Sequence, residues 1–189
     1  MTTKANAKLE HPAFAIIKER FGSSDKKFTG TEFRGLSSII VEPTEAHAIL
    51  AFLKSDPRMT FDYLLDVVGL DYLNYPAKMP GRFSVVYLLR SLGRDDLFAV
   101  KTYLDPSIST EGIEEDPALY LDSVTDLWPG AEWMEREVYD MFGIRFRNHP
   151  DLRRILTWES YPAHPLRKDY PLRGRGEREM YKIVDRTSA

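Results

Sequence analysis

The feature that most constrains this chain is residues 132–172, where an amphipathic helix is followed by closely spaced prolines. Prolines at positions 150, 162, 165 and 171 lack an N–H group and fix φ, so the second half of the stretch can form neither a long helix nor a central strand. Its arginines, tyrosines, tryptophan and leucines still need a surface to pack against. That surface belongs either to the same domain or to another protein, and the sequence leaves both open.

The helix is predicted over residues 133–142 from apolar residues at helical spacing, namely Ala131, Met134, Val138 and Met141. Gly143 is expected to cap it in the left-handed conformation, and residues 144–146 to leave it as a strand. Glu132 and Arg136 are four residues apart, as are Arg136 and Asp140, and each pair would contribute only about 0.2–0.5 kcal/mol if it is exposed.

The preceding residues predict a mixture of short helices and strands. Helices are expected at residues 12–21, from a cap at Thr44 through residue 53, as one turn near residues 61–65, and within an acidic loop at 106–122. Strands are expected at residues 38–41 and 67–72, and as a hairpin of residues 82–92 and 97–104. The predicted fold class is α+β, a small, mostly antiparallel sheet with helices on one face. It occupies residues 1–143, with a short flexible N-terminus, and an extended C-terminal interaction strap follows over residues 144–189.

Charge is unevenly placed along the chain. The net charge is −3, but residues 145–189 contain eleven Lys or Arg against six Asp or Glu, which leaves +5 there and −8 elsewhere. This asymmetry suggests a tail with its own partner. No uncharged run approaches the roughly 20 residues of a membrane-spanning helix, and the first residues lack the apolar segment of a signal peptide.

The composition argues against several kinds of chemistry. With no cysteine, the chain cannot form disulfides, ligate an iron–sulfur cluster through thiolates or use a thiol nucleophile. The histidines at positions 11, 47, 149 and 164 lack metal-ligand spacing, and those that precede prolines are expected to bond nearby backbone. Glycine-rich phosphate loops are also missing, so a nucleotide site is not supported.

Two charged groups have alternative interpretations. Glu135, Glu137 and Asp140 are either catalytic carboxylates or a solvated helix face, and Glu135 is placed to be buried at an edge and paired with an arginine. The basic pairs at 153–154 and 167–168 and the run at 173–178 could contact nucleic acid, but they alternate with acids and no nucleic-acid-reading motif accompanies them. We therefore expect no nucleic-acid partner, and no catalytic, cofactor-binding or metal-binding residue.

Three motifs, at residues 135–144, 149–156 and 164–171, resemble in order and spacing the C subunit of the proton-pumping NADH:quinone oxidoreductase, complex I. This family includes the mitochondrial iron–sulfur protein 3 and chloroplast J subunits. The resemblance covers residues 61–172, with departures at Asn148, where glycine is usual, and at 157–163. The signature residues, for which an interface role is expected, are Glu135, Arg136, Glu137, Tyr139, Asp140, Phe142, Gly143, His149, Pro150, Asp151, Arg153, Arg154, His164, Pro165, Leu166, Arg167, Lys168, Asp169, Tyr170 and Pro171.

The resemblance implies a cofactor-free structural subunit of the hydrophilic arm, non-catalytic by itself, in a respiratory enzyme that passes electrons from NADH to quinone and translocates protons. FMN and iron–sulfur clusters would belong to other subunits. The implied partners are the quinone-site subunit, of the D type, and adjacent cluster-bearing subunits. The implied location is peripheral, on the cytoplasmic side of the cell membrane, with membrane contact only through the complex.

Two alternatives stay open at this point. The chain could be the equivalent subunit of a related membrane-bound hydrogenase or of a ferredoxin- or formate-linked complex, or it could be an independent enzyme or binding protein. Under the complex I interpretation, residues 164–172 are expected to form the main clamp. Arg167 would reach a partner carboxylate, and Asp169 would hold that guanidinium or cap a local turn.

Overall fold

The computed structural model describes residues 11–22 and 28–177 of the chain. This part of the chain is built around a five-stranded sheet. Its strands are β1 (Thr29–Phe33), β2 (Leu36–Val41), β3 (Tyr63–Asp71), β4 (Phe83–Ser91) and β5 (Asp96–Leu104), in the spatial order β1-β2-β5-β4-β3. The β2–β5 pair is parallel, and the other three pairs are antiparallel. The sheet is therefore mostly antiparallel, as predicted.

Three α-helices and a second, two-stranded sheet complete the described fold. The helices are α1 (Pro12–Phe21), α2 (Ala46–Ser55) and α3 (Ala131–Phe142). A 3-10 turn (Pro117–Leu119) leads into β6 (Tyr120–Asp122), which pairs in parallel with β7 (Arg145–Arg147) directly after α3. This small sheet joins the segment that follows α3 to the end of the acidic loop that precedes the helix.

The core lies on one face of the large sheet. Alternate side chains of its two central strands are buried there, namely Phe83, Val85, Tyr87, Leu89, Phe98, Val100 and Leu104. On β3, Gly69 pairs with Val85, and a Cβ atom at Gly69 would lie only 2.5 Å from the ring of Phe142 in α3. The missing side chain lets α3 approach the sheet on its core face. The α+β class with helices on one face is thus confirmed.

Several local predictions are also confirmed. The bounds of α1, the β4–β5 hairpin and the left-handed cap at Gly143, with φ of 75°, agree with the sequence patterns. Asn148 has a φ of 62°, the left-handed conformation that asparagine tolerates in place of the glycine that the resemblance implied. Helix α3 begins two residues earlier than predicted, at Ala131.

Two local predictions are wrong. Residues 61–65 do not form a helical turn, because β3 begins at Tyr63 and a bulge between Leu64 and Asp66 places two leucines next to each other in a strand. Thr44 does not cap α2, which has Glu45 at the N-cap position and no side-chain cap bond. The acidic loop contains β6 in addition to the predicted short helix, since strand pairing with β7 comes from residues 25 positions later.

Among the described residues, no helix is long and apolar enough to cross a membrane. The predicted loose N-terminus at residues 1–10, and residues 178–189 of the predicted strap, lie outside the described part of the chain.

Candidate interface built on helix α3

Asp140 anchors the proline-rich segment to α3. Its Oδ2 atom accepts hydrogen bonds from the backbone N–H groups of Ile155, Leu156 and Thr157 at 2.8–3.0 Å, and its Oδ1 atom accepts from the Thr157 hydroxyl and from Arg154 at 2.7 Å. Burial by itself would raise the pKa of Asp140, but these hydrogen bonds outweigh it and hold the pKa at about 2. The carboxylate stays ionised and fixes residues 154–157.

Glu135, one turn earlier in α3, is also fully buried. It accepts hydrogen bonds from the Ser123 hydroxyl at 2.7 Å and the Val124 N–H at 2.8 Å, so it joins α3 to the segment after β6. Burial raises its pKa to about 7, although both hydrogen bonds lower it. The predicted burial is confirmed, but the predicted arginine partner is wrong. The nearest basic group is His149, at 3.9 Å.

The histidines in this region bond nearby backbone, as predicted. His149 accepts from the Asp151 N–H at Nδ1, so its Nε2–H donates to the Glu132 carbonyl at 3.0 Å. His164 Nδ1 donates to the Asp140 carbonyl at 2.9 Å, and burial lowers the pKa of His164 to about 4. Both side chains therefore act as neutral links between the segment and the helix.

The oppositely charged residues spaced four apart along α3 do not pair with each other in the described structure. Arg136 is buried and donates to the carbonyls of Arg153 and Arg154, both at 3.0 Å. Asp140 takes Arg154 as its partner instead. Since the proline-rich segment covers this side of α3, the charges face its backbone rather than solvent.

Arg167 does not reach outward for a partner carboxylate. Its side chain is 5% exposed and donates to three backbone carbonyls of its own chain, those of Phe142 at 2.7 Å, Thr110 at 2.9 Å and Gly112 at 3.2 Å. The surrounding segment is also not extended. Successive turns are closed by the N–H of Arg167 to the carbonyl of His164 and the N–H of Tyr170 to the carbonyl of Arg167. The guanidinium group therefore links this segment to the end of α3 and to the loop after β5 of the same chain.

Asp169 takes neither of its two predicted roles. It pairs with Arg82 at 3.0 Å and accepts from the Thr110 hydroxyl. Arg82 also pairs with Asp71 at 3.0 Å, and Asp71 accepts the Lys168 N–H at 2.8 Å. This cluster joins the segment to the end of β3 and the start of β4.

The signature residues thus divide by location. The buried ones are Glu135, Arg136, Asp140, Phe142, His164 and Arg167. Half-buried positions are Tyr139, Gly143, His149, Asp151, Arg154, Pro165, Asp169 and Tyr170. The exposed ones are Glu137, Pro150, Arg153, Leu166, Lys168 and Pro171. The structure brings most of the charged members together inside the chain, and their expected interface role remains a prediction.

Sequence reasoning missed the apolar residues that this framework leaves at the surface. Leu156 is 63% exposed and Leu172 is fully exposed, and they border a groove of about 690 Å³ with Trp158, Tyr161 and Tyr170. The sequence did carry a signal for this surface, namely leucines within a segment rich in prolines and arginines. Exposed apolar groups that cluster in this way mark contact surfaces. Across the described ranges, no group of His, Asp and Glu side chains is arranged to hold a metal ion.

Comparison with known proteins adds independent information. The family described as "Respiratory-chain NADH dehydrogenase, 30 Kd subunit" matches residues 39–176. The C subunit of the NADH-quinone oxidoreductase of Citrifermentans bemidjiense is 42% identical over 170 residues, covering 90% of this chain and 94% of that protein. NADH-quinone oxidoreductase subunit 5 of Thermus thermophilus is 54% identical over 119 residues, covering 60% of this chain and 53% of that protein. The match to the Thermus protein therefore spans about half its length.

Two solved structures are similar. A trypsin-resistant fragment (1-134) of Nqo5 is 37% identical with a TM-score of 0.59, and the match covers 74% of this chain and 99% of the fragment. A chain of the membrane-bound sulfane sulfur reductase, an archaeal respiratory membrane complex, is 22% identical with a TM-score of 0.63, and the match covers 92% and 91% of the two chains. At that identity the second likeness shows the fold alone. Given a family match over residues 39–176 and a near-full-length relative at 42% identity, the chain belongs to the family of the 30 kDa subunit, or C subunit, of respiratory-chain NADH dehydrogenase.

Proposed function

We propose that this chain is a non-catalytic structural subunit of the hydrophilic arm of complex I and that it binds the quinone-site subunit. The observation that carries the proposal is the use of the charged signature residues. The side chains of Asp140, Arg154 and Arg167 form hydrogen bonds that hold residues 154–167 against α3. The segment held in this way presents leucines and aromatic rings at the surface. Such an arrangement shapes a binding surface in advance, which lowers the entropy lost on docking.

In this proposal, other subunits of the complex carry out electron transfer. This chain has no cysteine with which to ligate an iron–sulfur cluster, and no phosphate-binding loop for FMN. We place it on the cytoplasmic side of the membrane as a peripheral part of the complex. The relatives at 42% and 54% identity are named NADH-quinone oxidoreductase subunits, which favours this complex over a related hydrogenase or ferredoxin- or formate-linked one.

The test is to purify the complex from detergent-solubilised membranes through a tag on this chain. We expect stoichiometric recovery of the quinone-site subunit together with NADH:quinone reductase activity. Removing the chain should abolish quinone reduction while NADH oxidation with an artificial acceptor persists in the flavin-bearing part. Recovery of this chain alone, or with a hydrogenase, would contradict the proposal.

A further inference from the structure

A groove with an aromatic floor lies where residues 156–161 face residues 165–177. Trp158 and Tyr161 form its floor as an edge-to-face pair with centroids 4.5 Å apart. The hydroxyl groups of Tyr161 and Tyr170 are 2.6 Å apart, and Arg154 donates to the Tyr161 carbonyl at 2.8 Å. Because Asp140 holds Arg154, the floor is continuous with the buried framework and is preformed.

The tyrosine hydroxyl groups of the floor and the carboxylate of Glu177 are already hydrogen-bonded within the groove. Tyr170 donates to Glu177 at 2.7 Å, and the other oxygen of Glu177 accepts the Arg175 N–H at 2.7 Å. A small polar ligand would need convergent free donors and acceptors, which this floor does not supply. The rim instead offers the exposed side chains of Leu156 and Leu172. The groove is thus suited to an apolar chain segment.

The charge at the rim defines the partner further. Arg173 lines the groove and is exposed, and its side chain forms no hydrogen bond or ion pair with any described residue. The acid in the groove, Glu177, is committed to Tyr170 and to the Arg175 N–H. The charge that the groove offers to a ligand is therefore the positive charge of Arg173, and a carboxylate on the bound segment would complement it.

We propose that this groove binds an extended segment of the quinone-site subunit that contains proline or leucine and carries a carboxylate. Aromatic-lined grooves recognise extended, polyproline-type segments, whose backbone is already restricted and loses little entropy on binding. The rings would cover the apolar side chains and Arg173 would pair with the carboxylate. This inference rests on the proposed function and specifies the chemistry of its partner.

The first test uses Leu156→Asp, Leu172→Asp and Arg173→Glu in the tagged chain. These side chains are exposed, so the isolated variants should melt as the wild type does. We expect recovery of the quinone-site subunit to fall about tenfold for the leucine variants, and the loss with Arg173→Glu to shrink at high salt. Leu92→Asp, an exposed leucine after β4, is the matched control and should assemble normally. Wild-type recovery in all three groove variants would overturn the inference.

The second test identifies the occupant. With p-benzoylphenylalanine in place of Leu172, irradiation of the assembled complex should give adducts on a partner segment that has a carboxylate and a proline or leucine within a few residues. Adducts on lipid, on a helical partner segment or on this chain's own residues would overturn the inference while leaving the proposed function intact. If the wild-type chain recovers no quinone-site subunit, the proposed function itself fails, and the inference with it.

Discussion

Asp140 has no exposed side-chain surface, yet it is the acid that holds the proline-rich segment to α3. Its pKa of about 2 lies below the ordinary aspartate value of 3.8, so the folded state favours the ionised form. The stability that this provides is complete above about pH 4 and is lost as the pH falls through 2. Protonation would remove the partner of Arg154 while that guanidinium is still buried.

Asp140→Asn should destabilise the isolated chain by about 3–5 kcal/mol. The substitution leaves the Arg154 guanidinium without its carboxylate partner and weakens the hydrogen bonds from the N–H groups of residues 155–157. Urea unfolding at pH 7 measures this free energy. Asp151→Asn is the control, since Asp151 pairs with Arg153 at the surface, where solvent screens the pair, and its loss should change stability little. Equal destabilisation by the two variants would mean that Asp140 is not an anchor.

The raised pKa of Glu135 predicts that stability depends on pH in the opposite direction. Burial, the largest effect, raises its pKa from 4.5 to about 7, and Asp126 adds to the rise, while Val124, Ser123 and His47 lower it. The protonated form is favoured by folding, so its contribution to stability is complete below about pH 4 and is lost as the pH rises through 7.

Glu135→Gln should remove this loss, since the amide carries no charge at any pH. Relative to the variant, the wild type should lose on the order of 3 kcal/mol of unfolding free energy between about pH 4.5 and 8. The measurement is urea unfolding of both proteins across that range. Parallel pH profiles would show that folding does not raise the pKa of Glu135.

At the scale of elements, the end of α3 is set by Gly143. Its φ of 75° is left-handed, and a Cβ atom there would overlap the Arg167 guanidinium and lie 2.7 Å from the His164 ring. Both groups are buried and bonded to carbonyls of α3, so neither can move away freely. The glycine therefore serves both the turn and the close packing of the returning segment.

Gly143→Ala should cost about 2–4 kcal/mol, from left-handed strain together with displacement of the two buried side chains. Thermal and urea unfolding of the isolated chain would measure it. At the other end of α3, Gly130→Ala is the matched control, because its φ is −64° and no atom lies within 4 Å of the added Cβ. That control should change stability by about 1 kcal/mol or less.

At the scale of the whole molecule, the tail predicted from residue 144 onward is joined to the preceding residues as far as Arg175, whose side chain donates to the Glu111 carbonyl at 3.0 Å. Arg167 and Asp169 bond to the loop after β5, and the Lys168 N–H bonds to Asp71 at the end of β3. The last described backbone N–H that bonds to the preceding residues is that of Lys168. The division at residue 143 remains a prediction, and these backbone bonds indicate a second boundary near residue 171.

Amide hydrogen exchange should reveal that boundary. In the isolated chain, the amides of Leu156, Thr157 and Leu166 should be protected, because they donate to Asp140 and to the Met141 carbonyl. Those of Leu172 and Arg173, which donate to no described residue, should become protected only in the assembled complex. Equally fast exchange at Leu166 and Leu172 in the isolated chain would contradict this.

The sequence by itself determined the parts of this protein that depend on local rules. Helix α3, the cap at Gly143 and the β4–β5 hairpin follow from periodicity and turn chemistry, which act within a few residues. The three motifs likewise identified the family, because their residue types and spacing are read directly along the chain. These features could be predicted because neighbouring residues carry all the information they need.

Only the tertiary structure decided what the charged residues do. Arg167 bonds to carbonyls 55 and 57 positions earlier, and the Lys168 N–H bonds to an aspartate 97 positions away. No local pattern encodes such distances, so sequence reasoning placed Arg167 and Asp140 at a surface that the folded segment covers. A buried charge needs partners on every side, and the packing of distant segments supplies them.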